Sequence, residues 1–116
     1  TGQLPCADGK QRATRALRAD VSLGQAERAA KQCALNGLAV VGDQIGGDWS
    51  KLVRIVRLGV FVASANGFGD QPKVANGASE LLGDLLGETG RHARAAVGVN
   101  ALPLGATVEV EVVEVA

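Results

Sequence analysis

The chain has 116 residues, of which 47% are hydrophobic and only 3% aromatic, and its 12 basic residues balance 12 acidic ones to a formal net charge of zero. This length suits one domain, residues 1–116, with a core of Val, Leu, Ile and Ala, and it is too short for two domains. Balanced charge and few aromatic side chains argue against a nucleic-acid partner, and no apolar run approaches the roughly 20 residues of a membrane span.

The first residues, Thr1-Gly2-Gln3, have the pattern of a strand end, and the chain contains no Met. We therefore expect a further N-terminal segment, with the rest of this strand, to precede them. Residues 6–20 are polar, charged and without periodicity, which predicts a loop with a turn at Asp8-Gly9.

The two cysteines, Cys6 and Cys33, lack the spacing of metal ligands. They could form one disulfide, but Cys33 falls on the apolar face of a predicted helix. We favour reduced thiols in a cytoplasmic protein, and we expect neither a metal nor a cofactor.

The first helix is predicted to begin after Ser22, because Ser22 and Gln25 match a capping box. Small side chains then recur at helical spacing, which predicts a shallow face for close packing on a sheet. The residues of this face are Ala26, Ala30, Cys33 and Gly37, with Ala34, Leu38 and Val41 beside them. The helix is expected to end among Gly42, Gly46 and Gly47.

A central strand is predicted for residues 52–62, where only Arg54 and Arg57 interrupt an apolar run. Such a run is typical of a strand that is covered on both faces.

The second helix is predicted to follow a turn at residues 67–71, with Asp70 as its cap and Pro72 in its first turn. Its apolar positions have helical spacing, and it is expected to end near Gly87 or Gly90. These positions are Val74, Ala78, Leu81, Leu82 and Leu85.

Two strands are predicted to end the chain. Residues 94–101 alternate, and a turn follows at Pro103-Leu104-Gly105. In the last strand valines at 108, 110 and 112 alternate with Glu109 and Glu111. The alternation slips at Val112-Val113, which predicts a bulge or a change in what covers the strand.

The element order, strand-helix-strand-helix-strand-strand, predicts right-handed crossovers with both helices on one face of one sheet. The opposite face would be bare in a monomer. Because the central strand is apolar on both sides, we expect this face to meet another subunit.

The sequence resembles the RidA (YjgF) family, also called the endoribonuclease L-PSP family. The resemblance rests on His92-Ala93-Arg94, Leu102-Pro103 and Glu109, with Thr1-Gly2-Gln3-Leu4-Pro5 and Val74-Ala75-Asn76 in the family's order and spacing. It implies an α/β (α+β) chorismate-mutase-like, ferredoxin-like mixed sheet with two helices on one face, in which the central strand separates the last two strands. It also implies a homotrimer with a ligand cleft at each subunit boundary.

Active members of the family hydrolyse reactive enamines and imines, such as 2-aminoacrylate, to 2-keto acids and ammonia. By this resemblance Arg94 matches the carboxylate-binding arginine, and Glu109 matches the acidic residue that positions or activates water. Gly2, with Thr1 beside it, matches a second carboxylate contact through its backbone, and Asn76 matches a cleft-lining position. The implied ligand is a small 2-imino or 2-keto acid.

The chain departs from the family pattern at His92, where the family has proline, and at Ala96, where it often has cysteine. Three functions follow as alternatives. The first is an enamine/imine deaminase, and the second is a non-catalytic trimeric module that binds small carboxylates. The third is an endoribonuclease, against which the charge balance and the few aromatic residues argue.

Overall fold

The computed structural model describes residues 2–7, 10–11 and 22–116. Two long helices lie against one face of a four-stranded sheet. In chain order the elements are β1 (Gly2–Gln3), β2 (Cys6–Ala7), β3 (Lys10–Gln11), α1 (Leu23–Gln44), β4 (Arg54–Ala63), α2 (Gln71–Leu86), β5 (Ala93–Val99) and β6 (Val108–Val115).

The sheet has the strand order β1-β6-β4-β5. Strand β4 pairs with β5 in parallel and with β6 in antiparallel, and β1 pairs with β6 in antiparallel. The mixed α+β architecture with its two helices is therefore confirmed. So is the expectation that the central strand separates the last two strands.

Helix α1 begins as predicted. The Ser22 side chain accepts a hydrogen bond from the Gln25 amide, and the Gln25 side chain accepts one from the Ser22 amide. All seven residues of the predicted small-residue face are buried. The chain leaves the helix through Gly46 and Gly47, whose φ values of 65° and 79° are strained for other residues.

Helix α2 also begins at the predicted place, but its cap differs. Asp70 is the N-cap residue without a side-chain cap hydrogen bond, and its carboxylate lies 3.9 Å from the Lys73 ammonium instead. The helix ends at Gly87, which has a φ of 58°, and a short 3₁₀ turn leads to Gly90.

The core lies between the helices and one face of the sheet. Its sheet side consists of Ile55, Leu58, Val60, Val62, Val108, Val110 and Val112, all at most 1% exposed. Gly77 brings the two helices together, because a Cβ atom there would overlap the carbonyl oxygen of Glu27 in α1. The other face of the sheet carries no described helix, and we call it the open face.

One local expectation needs correction, and the structure refines another. The predicted loop at residues 6–20 contains the short antiparallel strands β2 and β3, a pairing too short for periodicity to reveal. The Asp8-Gly9 turn lies outside the described residues. A β-bulge is present close to the predicted slip at Val112-Val113, but its extra residue is on β4: the β4–β6 register shifts between Ile55 and Arg57, whose partners are Glu114 and Val113.

Candidate functional site

Arg94 lies on edge strand β5, and its side chain is on the helix side of the sheet. Its cross-strand partner is Leu58, which is fully buried in the core, and partners in a sheet share a face. In the described sheet β5 has a neighbour on one side only, so Arg94 lies at the edge of the sheet. From there its long side chain reaches α2 and stays exposed.

The guanidinium of Arg94 is anchored on α2 by three hydrogen bonds. Nη1 donates to Oδ1 of Asn76 at 2.8 Å and to Oγ of Ser79 at 3.0 Å. Nη2 donates to the backbone carbonyl oxygen of Pro72 at 3.2 Å. All three acceptors are uncharged, so they hold the guanidinium without neutralising it.

These bonds leave part of the guanidinium free. An arginine has five N–H donors, two on each Nη and one on Nε. Three are engaged, so one donor on Nε and one on Nη2 remain. Among the described residues no carboxylate forms an ion pair with Arg94, whereas Arg57 and Arg91 each pair with a glutamate.

His92 precedes this site in the chain, and its Nδ1 lies 3.2 Å from the carbonyl oxygen of Ala93. Partial burial lowers the pKa of His92 below its usual 6.5, and the positive charge of Arg94 lowers it further. It is the one histidine of the chain, so its imidazole signals need no assignment.

Glu109 lies on the open face of β6. Its cross-strand partner is Phe61, and a Cβ atom built on Gly2 would lie 3.5 Å from its Oε1. The absence of a side chain at Gly2 therefore leaves space over the carboxylate. Next to it, Arg57 and Glu111 form an ion pair of 3.6 Å across Gly59.

The structure thus separates the candidate residues into two groups. It brings Asn76 together with Arg94 on the helix side, and Gly2 together with Glu109 on the open face. Strand β4 lies between β5 and β6, which separates the two groups by about 10 Å across the sheet in addition to its thickness. Thr1 lies outside the described residues.

Sequence reasoning missed the contact between Ser79 and Arg94. Ser79 follows Asn76 by three residues, so the two side chains share one face of α2. This spacing was a usable signal once Asn76 had been singled out.

Other depressions of the surface lie apart from this arginine. One of 330 Å³ is lined by Arg54, Val56, Arg91, His92 and Ala93, and another of 370 Å³ lies at the carboxyl ends of β4 and β5. Neither includes Arg94 or Glu109. In the described ranges no cluster of three or more His, Cys, Asp or Glu could hold a metal, and no helix there is long and apolar enough to cross a membrane.

Comparisons with known proteins place the chain in a family. The family model described as "YjgF/chorismate mutase-like, putative endoribonuclease" matches residues 1–114. Protein TCP17 of Trypanosoma cruzi is 44% identical over 112 residues, which are 96% of this chain and 69% of TCP17.

Two solved structures are similar over most of their length. Atu1372 from Agrobacterium tumefaciens, described as a protein with unknown function, is 47% identical with a TM-score of 0.96, over 98% of this chain and 72% of that one. A "putative endoribonuclease" from Shewanella oneidensis is 30% identical with a TM-score of 0.91, over 97% of this chain and 74% of that one. The resemblance predicted from the sequence is confirmed, and the chain belongs to the YjgF/RidA family of chorismate-mutase-like fold.

Proposed function

We propose that this protein binds small 2-imino and 2-keto acids through Arg94 and hydrolyses the imino acids to 2-keto acids and ammonia, in clefts between the copies of a homotrimer. The observation that carries the proposal is the state of Arg94. Its guanidinium is anchored by neutral acceptors, keeps its charge and retains donors on Nε and Nη2. A planar carboxylate fits two such donors, and the paired charges strengthen both hydrogen bonds.

The reaction needs a water molecule beside the fixed ligand. The water oxygen forms a bond to the imine carbon, the electron pair of the C=N π bond moves to the nitrogen, and the proton that leaves the water reaches this nitrogen. In the resulting carbinolamine the hydroxyl proton passes to the nitrogen as the C–N bond breaks, which releases ammonia and leaves the keto group. Arg94 orients the substrate for this attack, and Glu109 accepts the proton from the water and returns it to the departing nitrogen.

The positions of Arg94 and Glu109 support a site shared between copies. The two side chains lie on opposite faces of the sheet and on strands separated by β4, so one ligand meets both only when Glu109 comes from a neighbouring copy. The open face offers a surface for that contact. Val97 and Val113 are 46% and 41% exposed on it, beside the half-buried ring of Phe61.

The first test measures ammonia release from freshly generated 2-aminoacrylate above the uncatalysed rate. We expect Arg94→Ala to lose the acceleration of ammonia release. We also expect this variant to bind 2-ketobutyrate roughly ten- to hundredfold more weakly than the wild type, which is the usual effect of removing a hydrogen bond to a charged group. Arg91→Ala is the matched control, because it removes a nearby exposed arginine that pairs with Glu88. Equal rates for wild type and Arg94→Ala would refute the proposal.

Binding is followed independently through the imidazole signals of His92. Burial lowers the pKa of His92 and the positive charge of Arg94 lowers it further; a carboxylate bound at Arg94 offsets that charge, so saturation with 2-ketobutyrate should move this pKa upwards. Glu109→Gln is expected to keep this shift but lose ammonia release, since it retains the shape of the side chain and removes the base. Binding without any acceleration in the wild type would identify a non-catalytic carboxylate-binding module instead.

A further inference from the structure

We propose that Ser79 is a positioning residue for Arg94. With Asn76 it holds the guanidinium on α2 so that the free Nε–H and Nη2–H face the ligand as one fork. The role deepens the proposed function and rests on it, because the fork is argued to receive the carboxylate of the 2-imino or 2-keto acid.

The hydrogen bonds of Arg94 leave a defined pair of its donors unused. Both donors of Nη1 are taken, one by Asn76 and one by Ser79, at 2.8 and 3.0 Å. The donors that remain belong to Nε and Nη2, the pair of nitrogens that forms the side-on fork of an arginine. A carboxylate that approaches this fork can form two hydrogen bonds with parallel geometry.

The same hydrogen bonds restrict the rotamers of the Arg94 side chain. Arg94 is exposed, and an exposed arginine on an edge strand samples many rotamers. A ligand that binds a mobile arginine must also order it, which weakens binding. Contacts to Asn76, Ser79 and the Pro72 carbonyl fix the guanidinium at three points before the ligand arrives.

Ser79 holds the guanidinium of Arg94 without adding a negative charge beside it. A carboxylate at position 79 would also hold the guanidinium, but it would compete with the ligand for the same positive charge. A serine hydroxyl supplies an acceptor without a charge. The half-buried Ser79 side chain lies outside the apolar core cluster, so its hydrogen bond to Arg94 is the contact that explains a polar residue on this face of α2.

The direct test needs no ligand. In a ¹⁵N-labelled sample the Nε–H signal of Arg94 is assigned by its loss in Arg94→Lys, and its order parameter measures how firmly the guanidinium is held. We expect Ser79→Ala to lower this order parameter and Ser79→Thr, which keeps the hydroxyl, to preserve it. Glu80→Ala is the control, because Glu80 is the exposed neighbour on α2. An order parameter unchanged in Ser79→Ala overturns the proposal.

The functional arm measures the Kd of 2-ketobutyrate and the KM and kcat for ammonia release. Ser79→Ala is expected to weaken binding about three- to tenfold, the size of one hydrogen bond, and to raise KM more than it lowers kcat. Ser79→Thr should bind like the wild type. Ser79→Asp should bind more weakly than Ser79→Ala although it holds the guanidinium, and the opposite order would contradict the argument from charge.

The two proposals fail in different ways. If Arg94→Ala binds 2-ketobutyrate as well as the wild type, the proposed function fails. If Arg94→Ala loses binding while Ser79→Ala keeps the wild-type Kd, only the positioning role fails. Unchanged thermal unfolding of Ser79→Ala, together with weaker binding, separates positioning from a general structural effect.

Discussion

At the scale of single residues, two glycines of α2 have opposite surroundings. Gly77 faces α1 so closely that a Cβ atom would overlap the carbonyl oxygen of Glu27. Gly83 has nothing within 4 Å of the same hypothetical atom. Identical substitutions at the two sites therefore differ only in the packing that they meet.

We predict that Gly77→Ala destabilises the protein by about 1–3 kcal/mol, because the helices must move apart to admit a methyl group. Gly83→Ala should stabilise it by roughly 0.5–1 kcal/mol, because alanine reduces the freedom of the unfolded chain and fits an exposed helical position. Urea unfolding of both variants beside the wild type measures the free energies. Shifts of the same sign would contradict the close approach of α1 and α2 at Gly77.

The sequence alone predicted Arg94 as a site residue through its motif, and Asn76 through its match to the family. It did not lead to their hydrogen bond. That contact joins residues 18 positions apart, and it depends on how α2 lies over β5. Ser79 was missed as well: its spacing of three residues from Asn76 puts the two side chains on one face of α2, but only the folded chain brings Arg94 to that face.

The buried Cys33 thiol shows what the helical pattern could predict. Spacing placed Cys33 on the buried face of α1, and there it is fully buried. Burial raises its pKa to about 12, so the thiol stays protonated at neutral pH. Cys33 therefore acts as a small apolar core side chain.

At the scale of elements, the two helices begin in different ways. At α1, the Ser22 side chain caps the Gln25 amide within a complete capping box. At α2, Asp70 has the same position without the hydrogen bond. The preference for Ser and Asp at helix starts predicted both N-cap residues correctly, because this preference depends on the local sequence. The missing side-chain hydrogen bond at Asp70 depends on the backbone geometry there.

We predict that Ser22→Ala lowers the free energy of unfolding by about 1 kcal/mol, the usual effect of removing a capping side chain. Asp70→Ala should cost less than about 0.5 kcal/mol, because it removes only an exposed ion pair with Lys73. Thermal or urea unfolding of the two variants gives the comparison. An Asp70→Ala loss as large as that of Ser22→Ala would show that Asp70 caps α2 in solution.

The bulge between β4 and β6 illustrates a limit of patterns within one strand. The sequence of β6 slips at Val112-Val113, yet its side chains still alternate there, since Val112 is buried and Val113 is exposed on the open face; the extra residue belongs to β4 near Val56, opposite Val113 and Glu114. The slip in β6 therefore marks an apolar residue on the open face rather than the bulge. Which strand holds the extra residue depends on the register between them.

At the scale of the whole molecule, no described helix covers the open face of the sheet. Val97 and Val113 are exposed on it, beside the Arg57–Glu111 ion pair. Apolar side chains on a sheet face are usually covered by another element or another chain. The proposed trimer would cover them and would bring a neighbour's Glu109 towards Arg94.

We predict that Val97→Glu converts the proposed trimer to monomers, because a charge would be buried at the proposed contact between copies. The dissociated variant should keep Arg94 in place but lose ammonia release. Sedimentation velocity at several concentrations measures the assembly. Leu85→Glu is the control, since Leu85 is 58% exposed on α2, on the other side of the sheet. A Val97→Glu protein with the wild-type mass would exclude the open face as the interface.

The sequence by itself determined the two helices, the three longer strands, the buried face of α1 and the family. These features follow from periodicity, capping and turn residues, which act over a few positions, and from motifs whose order and spacing match those of the family. The tertiary structure alone decided that Asn76 and Ser79 hold Arg94, that Glu109 lies on the opposite face, and that the extra residue belongs to β4. These relations depend on strand register and on the placement of α2, and both arise from packing between segments distant in the chain.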